Sequence, residues 1–302
     1  MKKNIFITLI SALFPFFASG QTSQPQVSNV VFYQNENEVI INYTLTKEAD
    51  ISLYISIDGG NTFSGPLKKA SGDIGTSITP GTLKTIKWEA TSEVESIVSS
   101  SVCFKVVAVK IDYGINLTFI NGDTFLMGEE DKYPVTINDF FIGTTEITQK
   151  QWFSVMGNNP SFFKGDNLPI ENVSFEEVQE FIRKLNAKTG KKYRLPTEAE
   201  WEYSSKENND SYILEECAWI DSNSSNRTHT VGMKQPNLFG IYDMIGNVSE
   251  WCSNRDDSYL NNDTKIVRGG SWSSHKRDCS ASKRHQADPK KRYINTGFRL
   301  AL

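Results

Sequence analysis

The sequence predicts an all-β sandwich of the immunoglobulin-like kind, followed by a larger α+β unit. Three observations carry this reading. From Val27 to about Lys110, short runs rich in β-branched and aromatic residues alternate with turn signals. From Leu117 onward, helical periodicities headed by capping residues stand among polar loops. The chain of 302 residues is also long enough for two cores.

Ahead of both units, residues 1–20 have the layout of a secretory signal peptide. Lys2 and Lys3 form a positive start, Ile5 to Ala18 an apolar stretch, and Ala18, Ser19 and Gly20 a small-residue end before Gln21. The stretch is shorter than the roughly 20 residues a spanning helix needs. No cysteine follows the expected cleavage point, which argues against a lipid anchor. We therefore expect an exported protein in the periplasm, on the outer surface or secreted, with no membrane span. The net charge of −4 and the lack of a basic cluster speak against nucleic acid as a partner.

Within residues 21–112, VVFYQ, EVIINYTL, ISLYISI, KTIKWEA and CFKVVAVK read as strands. Asp58-Gly59-Gly60-Asn61, Ser64-Gly65-Pro66 and Thr79-Pro80-Gly81 read as the turns between them. Several strands in about 85 residues suit a sandwich. No titratable cluster stands out, so this unit reads as a spacer or interaction module.

Residues 113–302 begin with a strand and turn, FINGDTFLMGEED. Thr148, with Gln151 three positions on, marks a capping box and a helix start. Ser174 caps a second helix over Phe175 to Ala187, where Val178, Phe181, Ile182 and Leu185 fall on one face and Gly190 ends the run. Thr197, with Glu200 three positions on, starts a third. Beyond Ser205 the pattern is turns and short strands. Cys103 lies in a strand-like run and reads as a buried free thiol. Cys217, Cys252 and Cys279 share the second half, and an exported chain permits one disulfide among them.

Four strings near the C-terminus are long and specific: RLPTEAEWEY from Arg194, FGIYDMIGNVSEW from Phe239, VRGGSW from Val267 and NTGFRL from Asn295. Together they resemble the formylglycine-generating enzyme family, the sulfatase-modifying factors, over about Leu117 to Leu302. The resemblance implies a C-type-lectin-like fold, with little regular structure and a small twisted sheet. Active members convert a sulfatase cysteine to formylglycine with copper held by two thiolates. Those positions fall on Ser274 and Cys279 here. Cu(I) is soft and prefers sulfur, so a serine hydroxyl makes a poor partner for Cys279. Members without the paired thiols suggest that Cys279 joins a disulfide, to Cys252 or Cys217. Ser271, Asn295 and His275 match positions that line the oxygen and substrate pocket, while Ser249 stands where an aromatic wall is expected.

The resemblance further implies a calcium site at Asp243, Gly246, Val248 and Glu250. Calcium takes six to eight oxygens at roughly 2.3–2.6 Å, which a carbonyl-rich turn between two acids supplies. Glu198, Glu200 and Glu202 invite an acid–base reading. The resemblance makes their helix scaffold, with Trp201 inward and Arg194 or Arg299 pairing with the acids. Gly269-Gly270 fits a close backbone approach, since no phosphate-loop lysine follows. Other relatives use non-heme iron with histidines from a helical domain. This chain has only His229, His275 and His285 and no such domain. Two functions follow as expectations. One is a non-catalytic, calcium-stabilised binding or structural subunit of the bacterial envelope with a protein or glycan partner. The alternative is a copper-dependent oxidase with an altered metal site.

Overall fold

The computed structural model describes residues 6–7, 24–94, 97–205, 213–253 and 264–302. All but two residues of the expected signal segment lie outside the described residues. Among those described, no helix is long and apolar enough to cross a membrane. The chain divides into two compact units, Met1–Asp112 and Tyr113–Leu302.

In the first unit, two antiparallel sheets share one apolar core. One sheet runs in the order Val27–Asn35, Glu38–Leu45, Gly81–Trp88 and Ala70–Gly72. The other places Ala49–Ser56 between Gly75–Ile78 and Cys103–Val109. Alternation decides which side chains enter. Val39, Ile41, Tyr43 and Leu45 point inward from one strand, and Ala49, Ile51, Leu53 and Ile55 from another. Ile41 opposes Ile86, and Leu53 opposes Val106. Trp88 is fully buried against Phe104, and its indole N–H donates to Glu93 at 2.9 Å. Cys103 is half-buried, not fully enclosed.

The second unit is built on capped helices and short strands. Helices Gln149–Met156, Phe175–Thr189 and Glu198–Ser204 each start with a complete capping box, on Thr148, Ser174 and Thr197. Gly157 and Gly190 close the first two in the left-handed conformation. Val178, Phe181, Ile182 and Leu185 form the buried stripe of the second helix. Phe181 stacks on Trp152 with centroids 5.2 Å apart, and Phe298 abuts both edge-on.

A four-stranded sheet runs in the order Arg284–Ala287, Lys265–Arg268, Ser249–Trp251 and Thr296–Gly297. Its last pair is parallel. This sheet brings three of the four strings to one place, and the Glu198–Ser204 helix packs against it through Trp201, which stacks on the Arg268 guanidinium.

Candidate functional site

The strand Lys265–Arg268 runs into Gly269-Gly270, and both glycines have positive φ. A Cβ on Gly269 would sit 2.6 Å from the Met244 carbonyl oxygen. A Cβ on Gly270 would sit 2.7 Å from Cys279 Sγ and 3.4 Å from the Ser274 Cβ. Only glycine permits this passage, and it places Ser274 and Cys279 beside the same backbone turn.

Around that turn lies a serine cluster. Ser274 Oγ accepts the Ser271 N–H at 3.0 Å. Ser271 Oγ is 3.1 Å from Ser273 Oγ and 3.2 Å from Ser274 Oγ. The Asn295 amide nitrogen reaches Ser271 Oγ at 3.5 Å and Ser273 Oγ at 3.4 Å. Ser271 is fully buried, whereas Ser273 is exposed. Trp272 lies edge-on to Phe163, which in turn meets the exposed Phe162. Ser249 is buried, and its N–H donates to the Asn295 carbonyl at 2.8 Å.

All four cysteines are free thiols, which overturns the expected disulfide at Cys279. Cys279 is buried beside the Ser274 carbonyl, 3.9 Å away, and burial pushes its thiol up to about 11. Cys252 is enclosed at the Glu250 carbonyl, and burial raises its thiol strongly. One buried neutral thiol and one hydroxyl do not fit Cu(I), which calls for two soft thiolates. His275 is mostly exposed and pairs with Asp221, on the wall of an open cleft with Glu215, Ser222, Lys276 and Arg277.

The strings also assemble a buried charge cluster. Both oxygens of Glu250 are engaged: Arg299 Nε and a terminal nitrogen reach them at 2.7 and 2.6 Å, and the Trp201 indole donates at 2.7 Å. Arg299 further donates to the carbonyls of Gly143 and Tyr242. The Glu250 side chain is thus a buried guanidinium partner. Asp243 takes the Gly232 N–H on one oxygen, and Gly246 donates its N–H to the Gly269 carbonyl. Val248 is buried against Gly297. Glu146, which sequence reasoning missed, joins the cluster through Asn247 at 3.0 Å. Burial, with Asp243 next, raises the Glu146 carboxyl well above its ordinary range, and burial raises Asp243 to about 6.

Glu198, Glu200 and Glu202 sit in ion pairs. Arg194 holds Glu200 with contacts of 2.6 and 2.8 Å. Arg268 bridges Glu198 and Glu202, and Arg284 adds to Glu198. Arg299 does not reach these acids; its partner is Glu250. Glu171 was also missed. It is fully buried, and Oε1 accepts the Phe163 N–H at 2.9 Å, so it anchors the loop that carries Phe162 and Phe163. Burial pushes its carboxyl up to about 7. A lone acid between Ile170 and Val173 was its only sequence signal.

These features define a class. Residues 114–302 match the sulfatase-modifying factor enzyme 1-like domain, and the chain belongs to that family. The chaperone protein LppX of Paenibacillus barcinonensis is 33% identical over 200 residues, spanning 46% of this chain and 71% of that protein. The solved structure of Treponema denticola variable protein 1 superposes with a TM-score of 0.57 at 30% identity, covering 61% of this chain and 94% of that one. The formylglycine-generating enzyme of Mus musculus is 24% identical over 188 residues, and the match spans 50% of this chain and 48% of that enzyme.

Proposed function

We propose that this protein is an exported, non-catalytic member of the family, serving as a binding or structural subunit in the bacterial envelope for a protein or glycan partner. One observation carries the reading. The position of the first copper thiolate is Ser274, whose hydroxyl is tied to the Ser271 N–H, and the remaining thiol, Cys279, is buried and neutral at physiological pH. Oxidation at this centre lacks its metal ligands. The surrounding face keeps recognition chemistry: exposed Phe162, partly exposed Trp272, the Ser273 hydroxyl and the Asn295 amide. The signal-like segment supports export. The leading sandwich, taken as immunoglobulin-like, suits a spacer or docking module.

The test is a reaction of the purified protein with Cu(I), oxygen and a sulfatase-type cysteine peptide, read by mass spectrometry. We expect no formylglycine. Conversion by the wild-type protein would overturn the proposal. Ser274→Cys puts a second thiol beside Gly270 and should tighten Cu(I) binding. Peptide oxidation should need Ser249→Trp as well. If Ser274→Cys gains no copper affinity, loss of the thiol is not what separates this chain from active relatives.

A further inference from the structure

We propose that Glu171 is a latch whose ionisation releases the loop carrying Phe162 and Phe163, and with it the aromatic wall beside Trp272. The inference rests on the reading of the Ser271–Asn295 face as a binding face, and adds its regulation.

The loop leaves the helix Gln149–Met156 at Gly157, φ 75°, and rejoins the core before Asn172, φ 61°. Its polar ties run to a few side chains. Gln149 Nε2 donates to the Phe163 carbonyl at 2.8 Å, and Gln149 Oε1 accepts the Asn159 amide at 2.8 Å and the Gly165 N–H at 3.1 Å. Asn172 donates to the Pro160 carbonyl at 2.9 Å. Glu171 Oε1 accepts the Phe163 N–H at 2.9 Å. Phe163 is therefore held by both backbone groups. That grip sets its ring edge-on to Trp272, with centroids 5.4 Å apart, and stands Phe162 exposed beside it.

The weak point of this grip is charge. Glu171 is 0% exposed, and its second oxygen, Oε2, is buried with no hydrogen-bond partner. A neutral acid there leaves one hydroxyl unmet, whereas a carboxylate leaves a charge unmet, which costs far more. Among the described residues, Lys164 is the cation that bears on Glu171. Its side chain is exposed and donates to the Asn159 carbonyl at 2.8 Å. The other packed elements bring neutral groups: Gln149 from the helix, the Tyr293 carbonyl on the Asn172 N–H, and Gly297 against the Ile170 carbonyl. Arg292, beside Tyr293, is paired with Glu177, and Asp166 is exposed. Burial accordingly lifts the Glu171 carboxyl from 4.5 to about 7. The closed loop keeps a proton that the open loop, with its acid in water, has already lost. Closure is favoured at low pH and weakens as pH rises through about 7. Opening need break only local bonds, because the next helix, Phe175–Thr189, starts from its own capping box on Ser174. The aromatic wall thus stands in acid and neutral solution and comes apart in alkali.

The experiment is hydrogen exchange of the full chain from about pH 6 to about pH 9, read by mass spectrometry and corrected for the intrinsic rate at each pH. We expect protection of residues 159–166 to fall about tenfold per unit above about pH 7, while the helix Phe175–Thr189 holds. In Glu171→Gln the protection of that segment should not change with pH. If the variant does not fold, the wild-type series decides alone. Constant protection up to the alkaline end overturns the proposal, because the carboxylate is then tolerated with the loop closed. So does a fall shared equally by the helix, which reports global unfolding. A folded Glu171→Gln with the wild-type pH profile overturns it too. None of these readings involves copper or a peptide substrate, so formylglycine formation would sink the non-catalytic reading without touching the latch.

Discussion

Replacing Glu171 with glutamine isolates one buried carboxyl whose effect on stability has a definite sign. Glu171 is 0% exposed, so solvent screening does not discount its shift. Its carboxyl rises from the ordinary 4.5 to about 7 because burial disfavours the charge. The folded state therefore keeps a proton that the unfolded state has already lost. The stabilisation is fully present below about pH 4.5 and is lost as pH rises through about 7. Two to three units at about 1.4 kcal/mol each give about 3 kcal/mol. The substituted amide would keep an acceptor for the Phe163 N–H but cannot ionise. Urea unfolding of both proteins from about pH 5 to about pH 8 reads the effect. Five of the six tryptophans lie beyond residue 113, so their fluorescence mainly follows the second unit. Asp243 and Glu146 titrate in both proteins and cancel in the difference. The wild type should lose about 3 kcal/mol more than Glu171→Gln across this range. A gap between the two proteins that stays constant with pH would refute the reasoning.

Further outcomes follow from the same core. Glu250→Gln leaves Arg299 buried without its counter-charge and should cost about 3–5 kcal/mol in urea unfolding; a loss under about 1 kcal/mol would mean the pair is not enclosed. Gly270→Ala forces a Cβ to within 2.7 Å of Cys279 Sγ at φ 73°, and should cost about 1–3 kcal/mol. Adding Cys279→Ala should recover part of that cost, and strict additivity of the two changes would contradict the close approach.

The helix starts were legible because a capping box is written within four residues. Thr148, Ser174 and Thr197 each carry the motif and each cap a helix. The long strands were legible from alternation, as in Val39, Ile41, Tyr43 and Leu45. The short strands Ala70–Gly72 and Gly75–Ile78 were not, because their glycine-rich pieces become strands only by pairing with distant partners. Charge pairing was half legible for the same reason. Of the two arginines offered to the acids of the 198–202 run, Arg194 does hold Glu200, but the fold delivers Arg268 and Arg284 to Glu198 and Glu202 and carries Arg299 to Glu250. Counting cysteines suggested a disulfide, whereas Cys252 and Cys279 lie against different carbonyls as free thiols. Buried Glu146 and Glu171 leave no periodic trace, since burial of a single acid is a property of the assembled loops.

The NTGFRL segment has a consequence for synthesis. Thr296–Gly297 is a strand of the central sheet, Phe298 fills the space beside Trp152, and Arg299 neutralises Glu250. Ala301 then bridges Ile142 and Arg194, elements separated from it by more than a hundred residues. On a ribosome, the helices and strands from 113 onward therefore wait with an open interior and unpaired acids until residues 296–301 emerge. The first unit carries no such dependence in its own core and can close while the rest is still being made. A second unit that cannot close early stays open until its last strand has been made.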